Sequence, residues 1–382
     1  MRQVPFIKYT SCGNNFIIVD ESESPVMAET EKPYFASQVT NPFFGVGADG
    51  CIFLQSGKGD TFQRINEVFR YWHNDPDAET ADYVFRLFEP DGSESLSCGN
   101  GLLCIAHYLC HRYGTESARL MTEIPAVNPN IVSIGTQRLT NMCWANMGRP
   151  RRLDAGLVNP KAIKPHDEIL STLDAIKIKF RRKCDANHYV PQKNITLNGY
   201  LIFTGEPHLV VFTENGDFGR RLASTMFACS SSREINGNDQ EHRLNTGSWL
   251  VEYIGNYAER EYRGIFPHGI NIDFVRIIDP AGIIEYRCYE RGVSRETLAC
   301  GTGAVAVSFV ANQLKLLKGA NITVWPHRCR WHDPDARLLV WQTPEGWLLH
   351  GDPVPLCEGV FLFNKTYTVR STFRHGNRRG QL

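Results

Sequence analysis

The sequence predicts an α+β protein built from two similar halves, each with a strand-rich sheet and one long helix. The chain has 382 residues, which is enough for two domains with their own cores. Short apolar runs separated by turn residues predict strands along most of its length. Two segments, beginning at Cys98 and Cys300, share the pattern of a cysteine, a glycine-containing turn and a long apolar stretch.

These two cysteine segments indicate an internal duplication. Cys98-Gly99-Asn100-Gly101 precedes the helical pattern 102–113, and Cys300-Gly301-Thr302-Gly303 precedes the helical pattern 304–317. Because both copies place a cysteine directly before the first helical residue, each cysteine is predicted to cap a helix N-terminus.

The rest of the chain predicts less regular structure in several places. Gly148-Arg149-Pro150 is a breaker and a candidate crossing between domains. Residues 56–82 are interpreted as a polar, irregular insertion, and residues 151–198 as loops and short elements. Residues 213–262 are predicted to be helical only in part, at 220–229. The basic tail 370–382 is expected to be frayed.

Composition excludes several function classes. Lys+Arg and Asp+Glu both number 41, so no net charge favours nucleic acid or an anionic membrane as a partner. No apolar run has the length of a membrane span, and the N-terminus lacks a signal-peptide pattern. We therefore expect a cytoplasmic protein whose 12 cysteines are free thiols.

One helix face carries potential metal ligands. Cys104, His107 and His111 share a side of the first long helix. A fourth ligand cannot be named, so core packing is favoured over a metal site. The sequence therefore predicts no metal and no cofactor.

The paired cysteines favour proton chemistry. A helix N-terminus presents unpaired N–H groups and a positive dipole end, which bind a carboxylate and stabilise a thiolate. Such a cysteine is expected to have a lowered pKa. Two of them on opposite sides of one carbon could remove a proton from one face and deliver another to the opposite face. A single copy is better explained as a small buried cap, but two matched copies favour catalysis.

With the other motifs, these segments resemble the diaminopimelate epimerase family of cofactor-independent, two-cysteine amino-acid epimerases and racemases. The matching segments follow the family's order: 13–16, 45–50, 91–94, 98–101, 207–208, 289–292 and 300–303. The resemblance implies two α+β domains, each a barrel-like, mostly antiparallel sheet around a central helix, with the active site in the interdomain cleft. It implies that the last strand returns to the first domain, which gives domains of 1–148 plus 351–382 and of 149–350.

The resemblance also implies roles for individual residues. The catalytic residues would be Cys98, Cys300, His208 and Glu290. The substrate-binding residues would be Asn14, Glu89, Gly99, Asn100, Glu206, Asn271, Arg291, Gly301 and Thr302. Within this set the two cysteines would be the acid–base pair, and Asn271 and Arg291 would hold the distal end of the substrate.

Three positions depart from the family pattern. Glu89 and Glu206 stand where asparagines usually contact the distal amino-acid group, and Asn15 replaces an aspartate. An ionised glutamate only accepts hydrogen bonds, so these residues alter the end that reads the substrate.

The function predicted first is epimerisation of LL-diaminopimelate to the meso form, for lysine biosynthesis, on a small-molecule amino-acid substrate. The alternative suggested by Glu89 and Glu206 is a racemase of an amino acid with a cationic or neutral far end. A proline-racemase-like role and a non-catalytic binding protein on the same fold are less favoured. The sequence leaves a homodimer open.

Overall fold

The structure is a computed structural model that describes residues 1–58, 60–76, 81–126, 128–137, 140, 142–159, 173–181, 194–214, 219–228 and 237–364. The chain divides into two compact units. The first comprises Met1–Asn146 and Gly351–Leu382, and the second Met147–His350.

The elements follow one another along the chain in three groups. The first unit contains β1 (Arg2–Ser11), β2 (Asn14–Glu21), α1 (Lys32–Val39), β3 (Gly50–Ser56), α2 (Thr61–Phe69), β4 (Tyr83–Phe88), β5 (Glu94–Ser95), α3 (Gly99–Tyr113), β6 (Ser117–Thr122), β7 (Asn130–Thr136) and β8 (Cys143–Asn146). The second contains β9 (Asp174–Arg181), β10 (Asn194–Phe203), β11 (Pro207–Phe212), α4 (Gly219–Met226), α5 (Gly237–Glu261), β12 (Asn271–Asp279), β13 (Ile283–Glu290), β14 (Arg295–Glu296), α6 (Gly301–Gln313), β15 (Asn321–Pro326), β16 (Leu338–Gln342) and β17 (Trp347–Gly351). The last strand, β18 (Val354–Phe363), pairs with β1 in the first unit.

Both units follow the same order of strand pairings. In the first, β18, β1 and β2 pair antiparallel, β2–β3 is parallel, β3–β4 antiparallel, β4–β6 parallel, and β6, β7 and β8 antiparallel. In the second, β9, β10 and β11 pair antiparallel, β11–β12 is parallel, β12–β13 antiparallel, β13–β15 parallel, and β15, β16 and β17 antiparallel. The internal duplication indicated by the cysteine segments therefore extends to the whole sheet.

The two long helices predicted after the cysteines lie at the centres of these sheets. Helix α3 contacts β1, β2, β6, β7 and β8, and α6 contacts β10 to β13, β15 and β16. Every residue of α6 from Gly301 to Ala311 is buried. A helix that is apolar on all sides must be surrounded by other elements, and here the sheet surrounds it. The predicted α+β class with barrel-like units is confirmed.

Two local predictions were wrong. The segment 56–82 was predicted as irregular, but α2 lies within it and packs Phe62 and Ile65 into a small core with Trp72. Polar residues predominate in α2. Its two buried apolar residues, three positions apart, form too short a pattern to indicate a helix from the sequence. Segment 213–262 was predicted to be mostly non-helical after residue 229, yet it contains the 25-residue α5.

The segment 151–198, predicted as loops and short elements, contains one strand of eight residues. Strand β9 buries Ile176, Ile178 and Phe180 and pairs with β10. That alternation is a strand signal with period two, and it was overlooked because charged residues interrupt it. Residues 160–172 and 182–193, like the basic tail, lie outside the described residues.

No helix in the described part of the chain combines the length and the apolar character that a membrane crossing requires.

Candidate active site

Cys98 caps the central helix of the first unit. Its backbone is extended, with φ −151° and ψ 112°, and its carbonyl accepts the Leu102 N–H at 2.9 Å. Gly101 belongs in the first turn because a Cβ there would lie 3.2 Å from side-chain atoms of both Ile52 and Phe85. The half-buried Cys98 thiol thus lies at the end of α3 that carries unpaired N–H groups.

Two predicted substrate-binding residues meet beside this helix end. The Asn100 amide donates to Asn14 Oδ1 at 3.4 Å, and the Ser11 hydroxyl donates to Asn100 Oδ1 at 3.5 Å. All three side chains are buried. Since buried amides need partners, this network fixes both asparagines next to the first turn, which also includes Gly99.

Cys300 caps the central helix of the second unit and makes contacts through both its sulfur and its backbone. Gly303 N–H donates to the Cys300 Sγ at 3.4 Å. The Tyr286 hydroxyl accepts the Cys300 N–H at 2.7 Å and donates to the Cys300 carbonyl at 2.8 Å. Tyr286 is fully buried on β13, so it anchors the cap to the sheet.

A chain of hydrogen bonds leads from the Cys300 sulfur into the core. Cys300 Sγ lies 3.3 Å from Thr302 Oγ1, which lies 3.0 Å from His208 Nε2. His208 Nδ1 lies 2.7 Å from Asp273 Oδ2. His208 and Asp273 are fully buried on the parallel neighbours β11 and β12. The carboxylate therefore orients the imidazole toward Thr302, and Thr302 links it to the thiol.

The expected lowering of the Cys300 pKa is wrong. A hydrogen bond from Cys288 pulls the pKa of Cys300 down, but burial and the charges of Glu290 and Asp273 outweigh it. The pKa of Cys300 therefore lies above its ordinary value, despite the Gly303 N–H at the sulfur. The helix N-terminus alone does not decide the acidity of a thiol that is buried between two carboxylates.

Glu290 is the last residue of β13 and lies near Cys300. The Thr297 hydroxyl donates to Glu290 Oε1, which orients the carboxylate. One ligand atom from each of Glu290, Cys288 and Cys300 lies within 4.8 Å of the others. Glu290 is thus beside Cys300, as predicted from the resemblance, and it acts on the thiol through its charge.

The predicted distal-end residues form one cluster in the second unit. Arg291 donates from both Nε, at 2.9 Å, and Nη2 to Glu206 Oε2. The backbone N–H of Arg291 donates to Asn271 Oδ1 at 2.9 Å, and Nη1 donates to the His268 carbonyl at 3.3 Å. Glu206 is therefore an orienting partner of Arg291, which was not anticipated.

Glu89 lies in the first unit, after β4. The Ser95 hydroxyl on β5 donates to Glu89 Oε1, and the Glu89 N–H donates to the Ser93 carbonyl at 2.8 Å. Its side chain is half-buried. The Glu89 carboxylate is therefore held by Ser95, a residue of the same unit.

The potential ligands on α3 are engaged in packing. Cys104 is fully buried, and His107 Nδ1 lies 3.1 Å from the Tyr9 hydroxyl. The rings of His107 and His111 stack with centroids 6.0 Å apart. Cys104 therefore packs in the core as interpreted, whereas His107 is half-buried and His111 is exposed.

Most of the predicted residues therefore fall into two groups, one in each unit. The first group is Cys98, Gly99, Asn100 and Asn14. The second is Cys300, Gly301, Thr302, His208 and Glu290, with Asn271, Arg291 and Glu206 bonded to one another. Sequence reasoning missed Asp273, Tyr286 and Cys288. Asp273 follows Asn271 by two residues on one strand, so period-two alternation was a usable signal for it.

The sequence of the chain is similar to known proteins of one family. The family model described as diaminopimelate epimerase matches residues 6–142. The diaminopimelate epimerase of Archaeoglobus fulgidus is 29% identical over 316 residues, covering 82% of this chain and 83% of the relative. That of Methanothrix thermoacetophila is 28% identical over 365 residues, covering 94% of this chain and 96% of the relative.

Solved structures support the fold. A hydroxyproline epimerase from Agrobacterium vitis aligns with a TM-score of 0.55 at 11% identity, covering 94% of this chain and 92% of that one. A phenazine biosynthesis protein of the PhzF family from Bacillus anthracis aligns with a TM-score of 0.51 at 15% identity, covering 95% and 100%. At these identities the likeness concerns the fold alone. The sequence comparisons confirm the resemblance to the diaminopimelate epimerase family and identify the chain as an isomerase of the amino-acid epimerase type.

Proposed function

We propose that the chain interconverts LL- and meso-diaminopimelate by a two-base mechanism, a reaction that serves lysine biosynthesis. Relatives of that name match most of the chain. The observation that carries the mechanism is that Cys98 and Cys300 each cap the central helix of a matching unit. Each half of the chain then contributes one of the two groups that move a proton.

In this mechanism one cysteine takes the α-proton as a thiolate, and the other donates a proton to the opposite face as a thiol. The raised pKa of Cys300 favours its thiol form near neutral pH, so Cys300 is the donor in the resting enzyme. In this form of the enzyme Cys98 is the base that takes the α-proton. After one turnover Cys98 is the thiol and Cys300 the thiolate. Proton exchange with solvent restores the first form, or the reverse reaction starts from the second.

His208 and Thr302 suit both protonation states of Cys300. When His208 Nδ1–H donates to Asp273, Nε2 accepts from the Thr302 hydroxyl, whose oxygen accepts the Cys300 S–H. When Cys300 has given its proton to the substrate, the Thr302 hydroxyl turns to the sulfur and donates to the thiolate. The Thr302 hydroxyl thus supports Cys300 before and after it loses its proton.

The helix ends provide sites for the α-carboxylate. The backbone N–H groups at a helix N-terminus bind an anion without a cationic side chain, and α3 and α6 each present such an end. A carboxylate held this way makes its α-carbon more acidic, because negative charge that develops there is stabilised. Asn14 and Asn100 supply polar groups beside one of these ends.

The Arg291–Glu206 pair favours diaminopimelate over a purely basic amino acid. The distal end of diaminopimelate carries an ammonium and a carboxylate. Glu206 has the charge opposite to that ammonium, and Arg291 has the charge opposite to that carboxylate. A lysine-like substrate would bring only an ammonium, which Arg291 repels. Glu206, one of the two glutamates that suggested another substrate, is therefore compatible with a zwitterionic distal end.

The test is a panel of amino acids with the purified chain. LL-Diaminopimelate should be converted to the meso form with a kcat/KM at least a hundredfold above those for L-lysine, L-ornithine and L-arginine. Chiral chromatography of the products measures both configuration and rate. Faster racemisation of a basic amino acid would contradict the proposal and support the alternative racemase.

A further inference from the structure

A second thiol lies beside Cys300 and has no part in the proposed reaction. Cys288 is buried on β13, and its sulfur lies within 4.8 Å of the Cys300 sulfur. With Glu290 these residues place two sulfurs and a carboxylate oxygen within 4.8 Å of one another. Such a group of donors is the composition of a metal site.

The local backbone fixes this arrangement. Cys288 and Glu290 are two residues apart on β13, so their side chains leave the same face of the strand. The Thr297 N–H donates to the Cys288 carbonyl at 3.1 Å, and Tyr286 on the same strand holds the Cys300 backbone through both its N–H and its carbonyl. The three ligands are therefore held in place before any ion binds.

The donor set selects the class of ion. Thiolates favour Zn²⁺ and similar soft or borderline divalent cations over Mg²⁺ and Ca²⁺. A Zn–S bond of ~2.3 Å places tetrahedral donors roughly 3.8 Å apart, a separation that fits within the observed grouping. Three protein ligands leave a fourth position for water.

A neighbouring carboxylate gives an independent reason to expect a cation. Asp273 is fully buried, and among the described residues its Oδ1 has no hydrogen-bond partner. A Cβ placed on Gly303 would lie 2.7 Å from that oxygen and 3.4 Å from Cys300 Sγ, so both atoms border the same small space. A buried carboxylate oxygen without a hydrogen-bond partner is costly in a core, and a divalent cation at the two sulfurs would offset that cost.

We infer that Cys288, Glu290 and Cys300 bind a thiophilic divalent cation such as Zn²⁺. The ion would bond to the Cys300 sulfur and reversibly inhibit epimerisation. Binding replaces two S–H bonds by two metal–sulfur bonds and releases two protons to solvent, with no change of oxidation state. The ion is an inhibitor at this site, because it removes the thiol that the proposed reaction needs.

Cobalt(II) titration of the reduced protein tests the site without relying on activity. The wild type should bind one Co²⁺ with a thiolate-to-cobalt charge-transfer band in the near ultraviolet, and Zn²⁺ should displace it. Cys288→Ser should weaken Co²⁺ binding at least tenfold. Cys329→Ser, which alters another buried thiol of the same unit, and Cys98→Ala should bind Co²⁺ as the wild type does.

The kinetic counterpart is inhibition by Zn²⁺, with each variant compared to its own metal-free rate. The Zn²⁺ concentration for half inhibition should rise at least tenfold in Cys288→Ser and stay unchanged in Cys329→Ser. Circular dichroism verifies folding, and Cys288→Val serves if the serine variant is unfolded. Absence of the cobalt band in the wild type, or a band that requires Cys98 and not Cys288, would overturn the inference. Because Co²⁺ binding is measured directly, failure of the proposed epimerase activity would not affect this result.

Discussion

Arg287 donates two hydrogen bonds to the Glu296 carboxylate, at 2.6 and 2.8 Å, four residues before Cys300 in the chain. The first unit repeats this relationship, since Arg86 donates to Glu94 at 2.7 and 2.6 Å, four residues before Cys98. Both arginines are almost fully buried. Each pair connects the segment that precedes a capping cysteine to the neighbouring strand. The two hydrogen bonds of each pair also fix the relative orientation of the two side chains.

Glu296→Gln should therefore destabilise the protein strongly. Removing one partner of a buried pair leaves an uncompensated charge and costs about 3–5 kcal/mol. Glu261→Gln, at an exposed pair with Arg260, should change the free energy of unfolding by no more than about 1 kcal/mol. Urea unfolding measures both. Equal, small effects would show that the buried pair does not stabilise the fold.

The same carboxylate predicts a pH dependence. Burial opposes the ionisation of Glu296, but Arg287 and Arg328 together lower its pKa in the folded state. A lowered folded pKa contributes stability above the unfolded pKa, and this contribution is lost as pH falls through the folded value. Glu296→Gln should accordingly flatten the acid side of the stability curve. An unchanged slope between neutral and acidic pH would contradict this assignment.

Thr302→Val should slow epimerisation by about 10²–10⁴-fold, because it removes the hydroxyl that joins His208 to Cys300. Thr302→Ser retains the hydroxyl and should recover most of the rate. Steady-state kinetics in both directions measure the effect. Equal loss in the two variants would contradict this assignment, because the hydroxyl of the serine would then fail to restore the rate.

Glu290→Gln should make the Cys300 thiol more acidic. The negative charge of Glu290 is one cause of the raised pKa of Cys300, so its removal shifts that pKa downward. The rate of iodoacetamide alkylation at Cys300 as a function of pH, followed by peptide mass spectrometry, reports the thiolate directly. A shift to higher pH, or no shift, would show that the carboxylate does not act on this sulfur.

Glu206→Gln should lower kcat/KM for diaminopimelate about tenfold or more, because Arg291 loses its charged partner and the distal ammonium loses a negatively charged acceptor. Glu345→Gln, an exposed change in the same unit, should have no effect. Improved turnover of diaminopimelate in the Glu206 variant would indicate that this carboxylate opposes the substrate.

Local patterns predicted the features that depend on neighbours in sequence. The two helix-capping cysteines were found because a turn and an apolar helix follow each directly. The contact between His208 and Asp273 spans 65 residues and depends on the parallel register of two strands, which no local pattern contains. The pKa of Cys300 could not be predicted for the same reason, since it depends on residues that the fold brings to the helix end.

The most direct test of the two-base mechanism is solvent deuterium incorporation at early conversion of LL-diaminopimelate in D₂O. Removal of a proton by one cysteine and delivery from the other predicts that the product carries α-deuterium while the recovered substrate remains protiated. Cys98→Ala and Cys300→Ala should each abolish epimerisation. Product that retains the original proton, or near-normal turnover in either single variant, would contradict the mechanism.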